Sequence, residues 1–317
     1  MELTELYQKG KEILSQKPYG KLLDGVETEF EIPHDRAVLD RYTFRLKCID
    51  GVEARTDCQV LGVTLATPVI MSPVVAPIPA IKEDGLMETA LGLKDAGSLM
   101  WVGSRTPKEL KALVETGVPV AANVRPIKDR KKLFQTIDEI QEAGVKWLGV
   151  QIDSGLGTKI IDRMATQDST PLSMKELEEI RGRTSIPLIC KGVLGAADAT
   201  KSVDAGADGI FVSHSAHILD YLPHPLQVMD EILSAVKGRA VIIVDSNFRR
   251  GSDVMKGLAF GASLVGVCRP ILYGLAADGR EGVAGIVNGI NDELKRIMGL
   301  AGTPEPGAVT KNVLISD

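Results

Sequence analysis

The chain has 317 residues, a net charge of -5, 44% apolar residues and 25% charged ones. That acidic balance excludes a general binder of nucleic acid or of anionic membranes, and no apolar run is long enough to span a bilayer. The length can bury a large core, either as two domains or as one α/β barrel.

The first 62 residues read as a preface of one extension, residues 1–62. Met1-Glu2-Leu3-Thr4-Glu5-Leu6 is acidic and polar, which predicts no secretory signal. Leu3 to Leu14 carries apolar residues at Leu3, Leu6, Tyr7, Ile13 and Leu14, the spacing of an amphipathic helix. Ala37 to Arg45 is a second candidate element. From Pro68 onward a regular beat begins, with apolar strands at Pro68-Ile70-Met71, Leu99–Val102, Pro119–Ala121 and Trp147–Val150. Four more follow at Pro187–Ile189, Gly209–Val212, Val241–Val244 and Leu264–Val267. Helical segments alternate with them: Leu86–Ala96, Lys108–Thr116, Asp129–Ala143, Met174–Arg181, Ala196–Ala205, Pro225–Lys237 and Ser252–Phe260. Gly279 to Met298 follows the last strand. Four helices stop in a similar way, before Gly97, Gly117, Gly144 and Gly206, as left-handed helix ends require.

Continuous apolar strands alternating with amphipathic helices predict a parallel sheet covered by helices. Eight such units predict a single closed (β/α)8 TIM barrel spanning 1–317, with 1–62 as its short N-terminal helical extension. A doubly wound open sheet is the alternative, and no glycine-rich dinucleotide fingerprint follows the first strand. Cys48, Cys58, Cys190 and Cys268 show no metal-ligand spacing, which predicts no metal site. Cys190 and Cys268 sit in apolar runs as buried thiols, and a reducing, cytoplasmic location fits.

Three strand ends carry chemistry. Lys191 closes the strand at Pro187–Ile189, and a buried lysine without a partner is costly, so a functional role is expected. His214 follows Gly209–Val212; it suits a general base at neutral pH, and a structural, hydrogen-bonded histidine is the competing reading. After Val241–Val244 comes Asp245-Ser246-Asn247-Phe248-Arg249-Arg250-Gly251-Ser252-Asp253. Arginines at the start of a helix favour an anion over a merely solvated charge pair. In a parallel barrel all three ends meet on one face.

Together these segments resemble the FMN-dependent α-hydroxy-acid oxidising family of glycolate oxidase, lactate oxidase, mandelate dehydrogenase and flavocytochrome b2. The likeness runs nearly end to end. It takes in Asp35-Arg36-Ala37, Phe44-Arg45, Pro68 to Pro73, Lys128-Asp129-Arg130, Lys191-Gly192-Val193, Arg249 to Val254 and Arg269-Pro270. The resemblance implies FMN as cofactor. It places Lys191 near flavin N1 and O2, and Asp245, Asn247, Arg249, Cys268 and Arg269 around the phosphate. Pro73, Val74 and Val75, with Asn123 and Gln151, would meet the rest of the flavin. It implies His214 as the base with Asp153 orienting it, and His217, Arg125 and Lys159 as substrate ligands. The partners implied are a small-molecule substrate and further copies of the chain, as a tetramer or octamer.

The chain departs from the family pattern. Ser246-Asn247 and Cys268 replace glycines, and Leu22 and Arg125 stand where two tyrosines are usual. Ser213-His214-Ser215-Ala216-His217-Ile218-Leu219-Asp220 is one residue shorter than Ser-Asn-His-Gly-Gly/Ala-Arg-Gln-Leu-Asp, and the segment Ser154 to Ser173 is short for a lid. An FMN-dependent oxidoreductase acting on the CH-OH group of a 2-hydroxy acid or related small molecule is therefore the expected function. An FMN-dependent isomerase or lyase, a flavin-free barrel for a phosphorylated metabolite, and a non-catalytic binding protein are the alternatives.

Overall fold

The computed structural model describes residues 1–17, 25, 27–49, 51–74, 78–103, 105–154, 168–215 and 220–316. In chain order these form α1 (Leu3–Ser15), α2 (Glu31–Asp40), β1 (Tyr42–Phe44), β2 (Cys58–Val60), β3 (Val63–Leu65) and β4 (Val69–Met71). Next come α3 (Ile78–Ile81), α4 (Gly85–Asp95), β5 (Met100–Val102), α5 (Pro107–Glu115), β6 (Val120–Val124), α6 (Arg130–Glu142) and β7 (Trp147–Gln151). The second half holds α7 (Met174–Arg183), β8 (Leu188–Val193), α8 (Ala196–Asp204), β9 (Gly209–Val212), α9 (Pro225–Val236) and β10 (Val241–Val244). It ends with α10 (Gly251–Ala259), β11 (Leu264–Val267), α11 (Arg269–Leu300) and β12 (Leu314–Ser316).

The eight expected barrel strands pair in parallel in the order β4-β11-β10-β9-β8-β7-β6-β5. The seam between β4 and β5 is closed by Met71 N–H donating to Leu99 O at 3.1 Å and by a parallel bridge between Val74 and Val102. The result is a TIM barrel, as the alternating pattern predicts. The strands are apolar on both faces because both are buried. One face packs under the helices. The other fills the barrel interior with Ile70, Leu99, Trp101, Trp147, Phe211 and Leu264. Val60, Val63 and Leu65 of the β2–β3 hairpin join that interior cluster, and Trp147 Nε1 donates to Leu61 O at 3.1 Å. The hairpin therefore closes the N-terminal end of the barrel, leaving the C-terminal end for a ligand.

The helix stops fall where expected: Gly97, Gly117, Gly144 and Gly206 all have positive φ. Two strands run further than expected, Leu188–Val193 and Val120–Val124, and two elements differ more. Ala37–Arg45 is not one element; α2 starts at Glu31 and ends at Asp40, and β1 follows, paired antiparallel with β12. The last helix starts at Arg269 rather than Gly279, with a kink where Asp278 and Gly279 leave helical geometry. Glycine at φ 57° supplies the break, so the sequence looks like the start of a helix there. No helix among the described residues is long and apolar enough to cross a membrane.

The extension is pinned to the barrel beside the β10–α10 turn. Tyr7 of α1 donates its hydroxyl to Arg249 O. Arg36 of α2 grips Asp253 with two bonds, 2.8 and 3.0 Å. Asp253 also accepts from the backbone N–H groups of Arg249 and Arg250, so one buried carboxylate ties the turn to α2.

Candidate active site

Side chains alternate along a strand, so the residue two beyond each interior one also points inward, one layer nearer the open end. From Ile189 this gives Lys191, from Phe211 Ser213, from Ile243 Asp245, and from Ile70 Ser72. Lys191 is 3% exposed. Its Nζ donates to Ser213 Oγ at 3.0 Å and to Ser215 Oγ at 2.7 Å, and lies 5.4 Å from the Phe211 ring centre. A bulge follows between Lys191 and Val193, with Gly192 at φ 92°. A side chain at Gly192 would collide with the Asp153 carboxyl carbon, so glycine here makes room for that carboxylate.

Asp153, two residues past the end of β7, accepts from Ser215 Oγ at 2.6 Å through Oδ2. Burial raises its pKa above the ordinary carboxylate value; the Lys191 charge and hydrogen bonds from Ser215 and Gln151 offset that only in part. Ser215 itself has φ 55°, a left-handed backbone uncommon for serine. Asp153 does not take up the orienting role expected of it toward His214. His214 is 1% exposed, and its Nε2 pairs with both oxygens of Asp35 on α2, at 3.0 and 3.2 Å. Burial alone would lower the imidazole pKa; the carboxylates of Asp35, Asp245 and Glu31 overcome it and hold the pKa above the ordinary value. The physical reason for the exchange is register. Counting Ser-Asn-His forward from Ser213, without a gap, sets Ser215 opposite the family histidine; counting back from Leu219-Asp220 sets His214 there.

Several interior polar groups lack a protein partner. Asn123 Oδ1 accepts from Trp101 Nε1 at 2.8 Å, above Gly149, which has no room for a side chain, but its Nδ2 is buried without a partner. Ser72 Oγ and Asp153 Oδ1 are likewise buried and unpartnered. Unpaired buried polar atoms are costly, and a polar-edged aromatic ring would satisfy them. Gln151, buried at the end of β7, pairs in register with Lys191. Pro73 and Val74 follow β4 at the rim beside the seam, and Arg125 follows β6, half-buried. Val75, Lys159, His217 and Leu22 lie outside the described residues.

The anion side lies after β10 and β11. Ser246 and Asn247 hold φ 88° and 61°, so this turn reaches left-handed geometry without glycine. Tertiary bonds hold it there. His224 Nε2 meets Ser246 O at 3.1 Å, and Asn247 Nδ2 donates to Ile32 O at 3.0 Å. Asn247 Oδ1 accepts from Arg249 Nε at 2.7 Å. Burial, and then the neighbouring Arg269 charge, lowers the Arg249 pKa. Two guanidiniums that disfavour each other, near the N-termini of α10 and α11, form a site that a phosphate would relieve. Arg250 turns instead to Glu293. Cys268 is a neutral thiol, its pKa pushed up to about 11 by burial. The residues present therefore fit an FMN: a phosphate cradle at one edge, and unsatisfied hydrogen-bonding groups with a lysine in the middle. Asp35, Ser72 and Ser215 complete the surroundings. The sequence signal for Ser215 was the ungapped Ser213-His214-Ser215; Asp35 and Ser72 lie in stretches that carry the family resemblance, without a role assigned to either.

Comparison with known proteins agrees with this geometry. The profile of the FMN-dependent dehydrogenase family matches residues 10–164 and 156–316. Glycolate oxidase 3 of Arabidopsis thaliana is 31% identical over 343 residues, covering 95% of this chain and 93% of that protein. An L-lactate oxidase of Lentilactobacillus hilgardii is 30% identical over 338 residues, covering 96% and 91%. Among solved structures, a mandelate oxidase superimposes with TM-score 0.89 at 27% identity, over 100% of this chain and 98% of that one. A lactate oxidase of Pediococcus acidilactici gives TM-score 0.90 at 28% identity, over 100% and 95%.

Proposed function

The chain belongs to the FMN-dependent dehydrogenase family, and from that premise we propose that it oxidises a small 2-hydroxy acid to the 2-oxo acid. The observation that carries this reading is Lys191. It is a buried ammonium at the open end of the barrel, held by two serine hydroxyls and facing the same end as the Arg249–Arg269 cradle. FMN, when bound, supplies the two-electron acceptor. Asn247, Arg249 and Arg269 would hold its phosphate, and Asn123, Ser72 and Gln151 would meet polar groups of the ring. Lys191 places a fixed positive charge where negative charge develops on reduction, which a low-dielectric interior makes effective. Arg125, at the rim, is the described candidate for the substrate carboxylate.

The test is the visible spectrum of the purified protein with FMN, followed by anaerobic addition of 2-hydroxy acids. Bleaching in the wild type, slowed at least about 100-fold in Lys191→Met with FMN still bound, supports the reading. Bleaching at the wild-type rate in that variant removes the role given to Lys191. A redox-neutral isomerase or lyase reaction is the second reading, favoured by the serine opposite the usual histidine; it predicts turnover without an electron acceptor. The family membership and the cradle argue against a flavin-free barrel. The resemblance further supports a homotetramer or octamer, and the cysteine pattern supports a reducing, cytoplasmic location. Sedimentation of the holoenzyme tests the assembly, and fractionation of cells tests the location.

A further inference from the structure

Resting on the 2-hydroxy-acid reading, we propose that Ser215 and Asp153 together accept the proton that leaves the substrate hydroxyl, in place of an imidazole. The hydrogen bonds run without a break from Lys191 Nζ to Ser215 Oγ at 2.7 Å and from Ser215 Oγ to Asp153 Oδ2 at 2.6 Å. A hydroxyl that accepts one bond and donates one keeps a lone pair for an incoming O–H. Ser213 cannot serve in the same way, because its Oγ already accepts from Lys191 and from Ser215 N–H. His214 cannot serve through Nε2, which the Asp35 carboxylate occupies.

Two features of the backbone accommodate this pair. Ser215 stands in left-handed geometry, which is uncommon outside glycine. Gly192 clears the space that the Asp153 carboxyl fills. Asp153 Oδ1 is buried without a close hydrogen bond, so Ser215 is the one group that meets this carboxylate at short distance among the described residues.

The balance is simple. The substrate O–H bond breaks and its proton passes to Ser215 Oγ, while the proton already on Ser215 passes to Asp153 Oδ2. The Cα–H leaves with its electron pair to FMN, the oxidant that the family supplies, and the carbinol carbon becomes the carbonyl of the 2-oxo acid. Asp153 ends as the neutral acid. The charged groups that face it are Lys191 from β8, which favours the carboxylate, and Asp245 from β10, which disfavours it. Burial raises its pKa, which makes it a stronger base than a solvated carboxylate.

The experiment titrates the FMN-loaded protein with oxalate, a dianion that resembles the deprotonated substrate, and follows the flavin absorbance from pH 5 to 9. Binding of such a dianion draws a proton onto the base. The wild-type Kd is expected to rise about tenfold per pH unit above the pKa of that base. Asp153→Asn and Ser215→Ala should flatten the profile, and His214→Gln should keep the slope even where it lowers stability. A slope that persists in Asp153→Asn, or that vanishes only in His214→Gln, overturns the proposal. Infrared spectra read the pair without any substrate. The carboxyl band that titrates in the wild type and is absent from Asp153→Asn should shift in Ser215→Ala, and an unshifted band overturns the relay itself. A shifted band in a protein that neither binds oxalate nor is bleached by 2-hydroxy acids overturns the substrate reading instead, and with it the assignment of this relay to a hydroxyl proton.

Discussion

His224 couples the β10–α10 turn to acid stability. It is fully buried at the N-terminus of α9, where Nδ1 accepts from Leu226 N–H at 3.2 Å and Nε2 donates to Ser246 O at 3.1 Å. That pattern needs the neutral ring, because protonation would place a proton on the nitrogen that accepts from Leu226. Burial pushes its pKa down to about 4, with His214 acting in the same direction and with Asp35 and the hydrogen bond to Ser246 O opposing them. The unfolded chain takes up that proton near pH 6.5. Between pH 6.5 and 4 the unfolded state therefore binds a proton that the folded state does not, and stability falls as the pH falls. A gap of about 2.5 pH units at about 1.36 kcal/mol each makes this about 3 kcal/mol. Asparagine keeps a capping side chain and cannot titrate, so His224→Asn removes the slope while preserving much of the cap. The assay is urea unfolding from pH 4.5 to 7.5, followed by the fluorescence of Trp101 and Trp147, which both lie in the barrel interior. Glu31, pushed up to about pH 7 by burial, contributes a slope of opposite sign, which the difference between the two proteins removes. The wild type should lose about 2–3 kcal/mol relative to the variant on going from pH 7 to 4.5. Parallel curves would refute the reasoning and show that the ring is protonated, or reached by water, in the native fold.

Three further outcomes follow from single contacts. Arg36→Met leaves the Asp253 carboxylate, 2% exposed, without its bidentate partner and should cost about 3–5 kcal/mol in urea unfolding; a loss under about 1 kcal/mol would mean that the turn holds itself. Gly192→Ala forces a side chain onto Asp153 at φ 92°, and an FMN fluorescence titration should show affinity reduced at least about tenfold, against an unchanged Kd if the bulge can move. Asn247→Ala loses bonds to Ile32 and Arg249 while keeping a left-handed residue, and should cost about 1–2 kcal/mol with weaker FMN binding; Asn247→Gly, free of the backbone strain, should lose less.

Sequence alone determined the barrel and its open end. Eight apolar strands with glycine-stopped helices leave few alternatives, because both sheet faces must be covered and the period shows in every unit. It also marked Lys191 and the Asp245–Arg249 turn as candidates, since a charged residue ending an apolar strand is costly without a partner. The tertiary structure decided the rest. Which of His214 and Ser215 faces Asp153 depends on a register that a one-residue deletion leaves open in the sequence, and on Asp35, 179 positions away along the chain, reaching His214 first. Whether Ser246 and Asn247 can stand in for glycine depends on His224 and Ile32, whose bonds hold the turn in a conformation that local preference disfavours. Long-range pairing leaves no local pattern, so only the folded chain brings those partners together.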